Sequence, residues 1–414
     1  MKLNIDSHGL QAAIDELALI SEAPAPAVTR VLFSPEDLRA RAWLKARAGE
    51  IGLAVREDPV GNIFFHWTGS DAAATPVATG SHTDAIPNAG KYDGVVGVLG
   101  GLEALAALKR AGFQPRRSLE VIMFTAEEPT RFGLGCLGSR LMCGALSLEK
   151  AAALRDPQGQ SLEELRDDAA LRGDLTHVRL AQGAYSAFVE LHIEQGPLLE
   201  REGLPIGVVE KIAGPSSYRV RLTGEGGHAG AVLMPERHDA GLAGAEIALA
   251  VEHAARTSGS PDTVGTTGVF RQEPNAVNSV PCAATLEIDF RDTDHTARTA
   301  AWSRVETDIE EICRRRGVQY KLEPINSEAP ALCAPELVQT VLSVCKDLDL
   351  PVKQMISRAY HDSLFMAQIC PTTMIFIPCR GGVSHRPDEF STPEQIAAGV
   401  EVLAQTLAKL AGGA

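Results

Sequence analysis

The sequence predicts an α/β protein of two domains, the smaller inserted into the larger. Three observations carry this reading. The chain has 414 residues, more than the roughly 250–300 at which single cores stop growing. Toward both ends, short apolar runs that read as strands are joined by helical segments, the rhythm of an open α/β sheet. Between residues 213 and 328 the order becomes β-α-β-β-α-β, the ferredoxin-like pattern. The larger domain is therefore expected at 1–212 and 329–414, and the insertion at 213–328.

The elements follow in order. Residues 9–20 read as a helix, and the Pro-containing stretch 23–26 breaks it. Ser34-Pro35-Glu36-Asp37 is a helix start, with Ser as N-cap, Pro at the first helical position and acids in the first turn. That helix runs to about Ala48. Strands are expected at 62–67, 77–79, 119–125 and 188–193, and a glycine-rich buried helix at 95–110. In the insertion, strands are expected at 218–223, 263–270, 283–291 and 318–325, and helices at 235–255 and 293–316. Leu286, Ile288 and Phe290 alternate along one strand, and Trp302, Val305, Ile309 and Ile312 share one helix face. A helix at 334–348, a strand at 373–377 and a helix from Pro393 complete the larger domain.

The chemistry is expected at the strand ends. His82 and Asp84 follow the 77–79 run, Glu127 and Glu128 follow LEVIMFT, His192 lies near the end of FVELHI, and His385 closes the loop after TMIFI. Ligands of open α/β sheets collect outside the carboxyl ends of the strands, so these groups can converge. Singly, each has a bland reading. Asp93 before a helix is commonly an N-cap, His192 a core histidine, and Glu127-Glu128 a solvated strand end. Their order and shared placement favour a metal site. Imidazole with carboxylate suits zinc, manganese, cobalt or nickel better than magnesium or calcium. Two ions roughly 3.5–4 Å apart can share a bridging carboxylate, for which Asp93 is the natural choice. Of the two glutamates, one can bind metal while the other moves a proton. Asp84 can fix the tautomer of His82.

A rival reading is a nucleotide-dependent oxidoreductase, because Gly133-Leu134-Gly135-Cys136-Leu137-Gly138 matches the dinucleotide fingerprint. That motif should follow a strand directly, and here the seven residues Ala126 to Phe132 intervene. Net charge is −14, which argues against nucleic acid or an anionic membrane as a partner. The eight cysteines show no paired spacing, and MKLNIDSHGLQAAIDEL has no apolar signal core. A cytoplasmic location is expected.

The motifs GSHTDAIPNAGKYDGVVGVLGGLEAL, FTAEEPTRFGLGCLGSR, ELHIEQGPLLE, GEGGHAG, PNAVNSVP, IDFRD and GGVSHRPDE resemble those of the hydantoinase/carbamoylase branch of dinuclear metallo-amidohydrolases. That group is related to the zinc aminoacylases and carboxypeptidase G, and the resemblance spans nearly the whole chain. It implies a zinc-peptidase-like catalytic domain with the ferredoxin-like insertion as a lid and dimerisation domain. It also implies two divalent ions per subunit, manganese or zinc. His82, Asp93 and His192 would hold one, and Asp93, Glu128 and His385 the other. Glu127 would be the general base and Asp84 the support of His82. His228 and Asn278 would polarise the scissile carbonyl, His228 reaching the partner subunit's site in a homodimer. Arg291 would clamp a substrate carboxylate, and Gln195 would lie beside the metal site. Two segments depart from the allantoate and N-carbamoyl-L-amino-acid pattern. They are Ala231-Val232-Leu233-Met234 and Arg358-Ala359-Tyr360-His361-Asp362-Ser363. Both resemble the ureidoglycolate-cleaving members, which makes Tyr360 and His361 substrate-contact residues for a small anionic ureido compound. Core packing is the bland alternative for Tyr360.

Overall fold

The computed structural model describes residues 3–412. The chain forms two compact units. One runs up to Glu210 and includes Leu332–Met355 and the chain from His361 onward; the other comprises Lys211–Ala331 and Ile356–Tyr360.

The first unit is built on a nine-stranded mixed sheet. Its centre is four parallel strands in the order Thr372–Ile377, Ala187–Ile193, Val77–His82 and Leu119–Phe124. Register pairs Ile377 with Ile193, and His82 with Phe124. Because the four are parallel, their carboxyl ends reach the same edge. Ile63–Trp67 and Ala54–Glu57 continue the sheet antiparallel beyond Leu119–Phe124. Every residue of the four central strands is buried. Strands covered on both faces read as unbroken apolar runs, and LEVIMF and TMIFI are such runs.

The helix Val95–Arg110 packs on this sheet through its glycines. A Cβ at Gly97 would lie 2.5 Å from the Leu191 carbonyl, so only glycine allows the helix this close. The helix Pro35–Glu50 starts as expected, with the Ser34 side chain accepting from the Asp37 N–H.

In the second unit a four-stranded antiparallel sheet runs Val264–Glu273, Ala283–Asp292, Gly214–Thr223, Gln319–Ser327. That is the ferredoxin-like order for the observed sequence of elements. The helices Ala240–Arg256 and His295–Arg316 share one core with the sheet, containing Val220, Leu286, Phe290, Ile247, Val305 and Ile309. Ala283–Asp292 alternates half-buried and buried along its whole length, as a sheet covered on one face should. Tyr218 stacks on Trp302 with ring centroids 3.6 Å apart.

One sequence expectation shifts, and the bland reading of Asp93 fails. The helix expected from Pro235 begins at Ala240, because Asp239 caps it by accepting from the Leu242 N–H, and Met234–Glu236 is a separate short turn. Asp93 is not an N-cap: the Val95 helix is capped by Gly94, with no side-chain cap bond.

Candidate metal centre

The four parallel strand ends bring His82, Glu127, Glu128 and His192 together, and the loops after them add Asp93 and His385. Two triads form, His82–Asp93–His192 and Asp93–Glu128–His385, with the ligand atoms of each within 4.8 Å of one another. Asp93 belongs to both. Its Oδ1 faces His82 Nε2 at 3.7 Å and His192 Nε2 at 3.2 Å. Its Oδ2 faces His385 Nε2 at 3.4 Å, and His385 lies 3.3 Å from Glu128 Oε1. One carboxylate thus turns one oxygen to each set, the arrangement a bridge between two ions needs.

The imidazoles are fixed from behind. His82 Nδ1 lies 3.0 Å from the main-chain carbonyl of Asp84, and His192 Nδ1 2.9 Å from that of Ile193. A carbonyl only accepts, so each Nδ1 donates to it and each Nε2 faces the cluster, that of His192 lying 3.1 Å from the Gly94 N–H. The Asp84 carboxylate was expected to hold His82. Its oxygen stands farther off, at 3.6 Å, because the carboxylate accepts instead from the N–H groups of Glu127 (3.2 Å) and Glu128 (3.0 Å). Asp84 therefore also anchors the turn carrying the carboxylate pair. Gly94 sits at φ +66°, and a Cβ there would lie 2.4 Å from the His82 ring, so glycine is required beside Asp93.

The electrostatics call for positive charge. Burial and the neighbouring Glu128 and Asp362 push the Glu127 carboxyl well above its usual range, against the pull of His82. Burial also raises Glu128. Burial opposes ionisation of Asp93, yet bonds from His192, His385 and His82 hold it well below the carboxylate range. Asp93 and Glu128 lift His385 to about 11. Three buried acids beside three imidazoles set up a demand for positive charge that divalent ions would meet. Gln195, at φ +55°, donates to Asp93 Oδ2 at 2.7 Å, while its own Oε1 is buried with no hydrogen-bond partner among the described residues. An orphaned acceptor beside a shared carboxylate fits a metal site.

His361 is buried, its ring 4.4 Å from that of His192. In the second unit His228 and Asn278 are exposed neighbours. Gly227–His228 pairs with Ser279–Val280, and the Ala229 N–H donates to the Asn278 carbonyl at 2.9 Å. Arg291 is held by Asp289 and lies over the Tyr360 ring, 5.3 Å from its centroid. Tyr360 is half-buried against this guanidinium.

Cys136 lies 3.5 Å from Glu127 Oε1, and burial together with Glu127 raises its thiol well above the usual range. Its thiolate is therefore disfavoured. The glycine fingerprint precedes a helix of only seven residues, Leu137–Cys143. A Cβ at Gly138 would meet Asn62 Oδ1 at 2.0 Å, so that glycine serves packing. Sequence reading missed Glu190, Ser384 and Glu389. Glu190 is fully buried and accepts from Ser81 Oγ (2.8 Å) and Ser363 Oγ (2.6 Å) beneath His192. All three lie inside quoted motifs, but none stands at a strand end, the signal used to find the others.

A doubly wound sheet edge with two histidine–carboxylate triads sharing one aspartate defines a metal-dependent hydrolase of zinc-peptidase architecture. The chain belongs to peptidase family M20/M25/M40, whose model matches residues 78–409. It is 54% identical to a ureidoglycolate hydrolase of Oryza sativa subsp. japonica, over 98% of this chain and 85% of that protein. It is 38% identical to an N-carbamoyl-L-amino acid amidohydrolase of Geobacillus stearothermophilus, over 99% of this chain and all of that one. A crystal structure of AtUAH in complex with glyoxylate superposes with a TM-score of 0.92 at 52% identity, covering 99% of this chain and 98% of that one.

Proposed function

We propose that this protein is an amidohydrolase that cleaves the ureido C–N bond of ureidoglycolate with one water; the carbamate and hydroxyglycine so formed each release an ammonia, leaving carbon dioxide and glyoxylate. The single observation that carries the amidohydrolase reading is Asp93, with one oxygen toward His82 and His192 and the other toward His385 and Glu128. His82, Asp93 and His192 hold one divalent ion, and Asp93, Glu128 and His385 the other; manganese or zinc fits best, with cobalt and nickel also suited to these ligands. When bound, the ions supply Lewis acidity at the attacking water and the scissile carbonyl.

The remaining steps belong to the chain. Glu127 takes the proton of the attacking water and delivers it to the leaving nitrogen as the C–N bond breaks. Its raised affinity for a proton suits this shuttle. His228 and Asn278 donate to the carbonyl oxygen where negative charge develops, His228 serving the partner subunit's site in a cytoplasmic homodimer whose inserted domain is both lid and dimerisation surface. Arg291 binds the substrate carboxylate through its planar fork. Tyr360 and His361 serve the hydroxyl carbon that distinguishes ureidoglycolate, and Gln195 orients Asp93.

The substrate is supported by the name of the rice relative and by the Tyr360–Arg291 pair. A site that hydrogen-bonds a hydroxyl rejects an analogue lacking it by large factors. The test is the specificity constant of manganese-loaded enzyme on ureidoglycolate, allantoate and N-carbamoylglycine. Ureidoglycolate should exceed N-carbamoylglycine by about 100-fold or more. A ratio near one, or a preference for allantoate, would overturn the substrate assignment and leave the dinuclear hydrolase standing.

A further inference from the structure

Two turns carry the carboxylates of the metal centre, and each is gripped from behind by a buried acid. The first is the Glu127-Glu128 turn, whose consecutive N–H groups both donate to Asp84. The second is the turn 90–94, which carries Asp93. There Glu389 Oε1 accepts from the N–H of Tyr92 at 2.9 Å and from the N–H of Asp93 at 3.0 Å. Glu389 is 4% exposed. Its other oxygen lies 2.9 Å from Ser384 Oγ, and that hydroxyl donates to Asp93 Oδ2 at 2.6 Å. The two grips are the same device: one carboxylate, two successive main-chain N–H groups, one metal-facing turn.

A second observation shows that the chain reserves this place for Glu389. A Cβ on Gly90 would lie 2.4 Å from Glu389 Cβ and 2.5 Å from its Oε1. At the other end of the same turn, Gly94 makes room for the His82 ring. The turn is therefore clasped between Glu389 and His82, with glycine at both points of contact.

We propose that Glu389 is the positioning residue of Asp93, holding its main chain by two hydrogen bonds and its side chain through Ser384, so that each Asp93 oxygen faces its own ligand set. The proposal rests on the dinuclear reading above. A bridging carboxylate has no freedom to turn, since rotation toward one ion takes it from the other. Groups that orient metal ligands typically carry about 10- to 100-fold in metal affinity.

The test uses the full chain, stripped of metal and titrated with manganese(II) alone, with free manganese read by electron paramagnetic resonance. Thermal unfolding of the stripped proteins is measured alongside. Wild-type protein should take up two ions. E389A should bind manganese about 10- to 100-fold more weakly. E389Q should fall between, because its amide oxygen still accepts both N–H groups but without charge. A purely structural role would lower the unfolding temperature of E389A and leave manganese affinity in the folded protein unchanged; that result overturns the proposal. Should E389A fail to fold, the isosteric E389Q decides, and wild-type affinity in E389Q overturns it equally. A wild-type protein that takes up no manganese would overturn the dinuclear reading and this proposal with it, an outcome distinct from variants matching a metal-binding parent.

Discussion

The two units treat their polar groups in opposite ways. In the first, His82, His192, Glu127 and Glu128 are all less than a tenth exposed, at the edge of a sheet whose central strands are covered on both faces, and His385 alone of the metal-facing groups is exposed. In the second, His228 and Asn278 are exposed, and Arg291 is half-buried on the uncovered side of a sheet that alternates along its length. The difference is chemical as well as geometric. Opposite charges in a dry pocket interact strongly and hold one arrangement, which suits ligands fixed at ångström precision. Exposed donors remain hydrated and carry little fixed cost, which suits groups that meet a substrate only when it arrives.

The comparison is broken most severely at Asp93. Asp93→Asn keeps the shape and removes the charge that both triads share, so metal content after dialysis should fall and turnover with it. Retention of two ions would show that Asp93 is no bridge.

Glu127→Gln sharpens the contrast within the buried set. Proton transfer is lost while the ligands stay, so kcat should drop by about 10²- to 10⁴-fold with metal content unchanged. Near-wild-type turnover would reverse the roles given to Glu127 and Glu128.

Smaller in effect, and aimed at the exposed set, is subunit mixing. His228→Ala and Glu127→Gln proteins are each inactive, but an exchanged dimer holds one complete site if His228 serves its neighbour. Random pairing then restores about a quarter of wild-type activity. No recovery after demonstrated exchange would place His228 in its own chain's site, or in none.

The smallest effect is expected at Tyr360. Tyr360→Phe removes one hydroxyl and keeps the ring against Arg291. Loss of a single hydrogen bond of about 1 kcal/mol narrows the preference for ureidoglycolate over N-carbamoylglycine roughly fivefold. An unchanged ratio would assign Tyr360 to packing.

Much of this site was legible in the chain because the rule used to find it is local. A parallel strand delivers its last residues to one edge, so His82, Glu127, Glu128 and His192 could be recognised as the residues following apolar runs. The glycine-rich helix after Asp93 and the alternation through Leu286, Ile288 and Phe290 were legible for the same reason: periodicity records burial. Glu389 and Glu190 were not legible. Each is a carboxylate with no cation beside it in sequence, and its partners lie about a hundred residues away or more: Ser81 and Ser363 for Glu190, Tyr92 and Asp93 for Glu389. The preference of Asp84 for two N–H groups over the His82 ring was equally hidden, since it depends on where the 125–128 turn comes to rest.

The sequence by itself determined the order of elements, the ferredoxin-like alternation of the middle segment and which imidazoles and carboxylates stand at strand ends, because strand period, helix period and strand-end placement are properties of neighbouring residues. Only the tertiary structure decided which oxygen of Asp93 faces which triad, which nitrogen of each histidine faces the cluster, and which buried acids hold the turns. Those outcomes depend on hydrogen bonds between segments that meet only when four parallel strands close side by side.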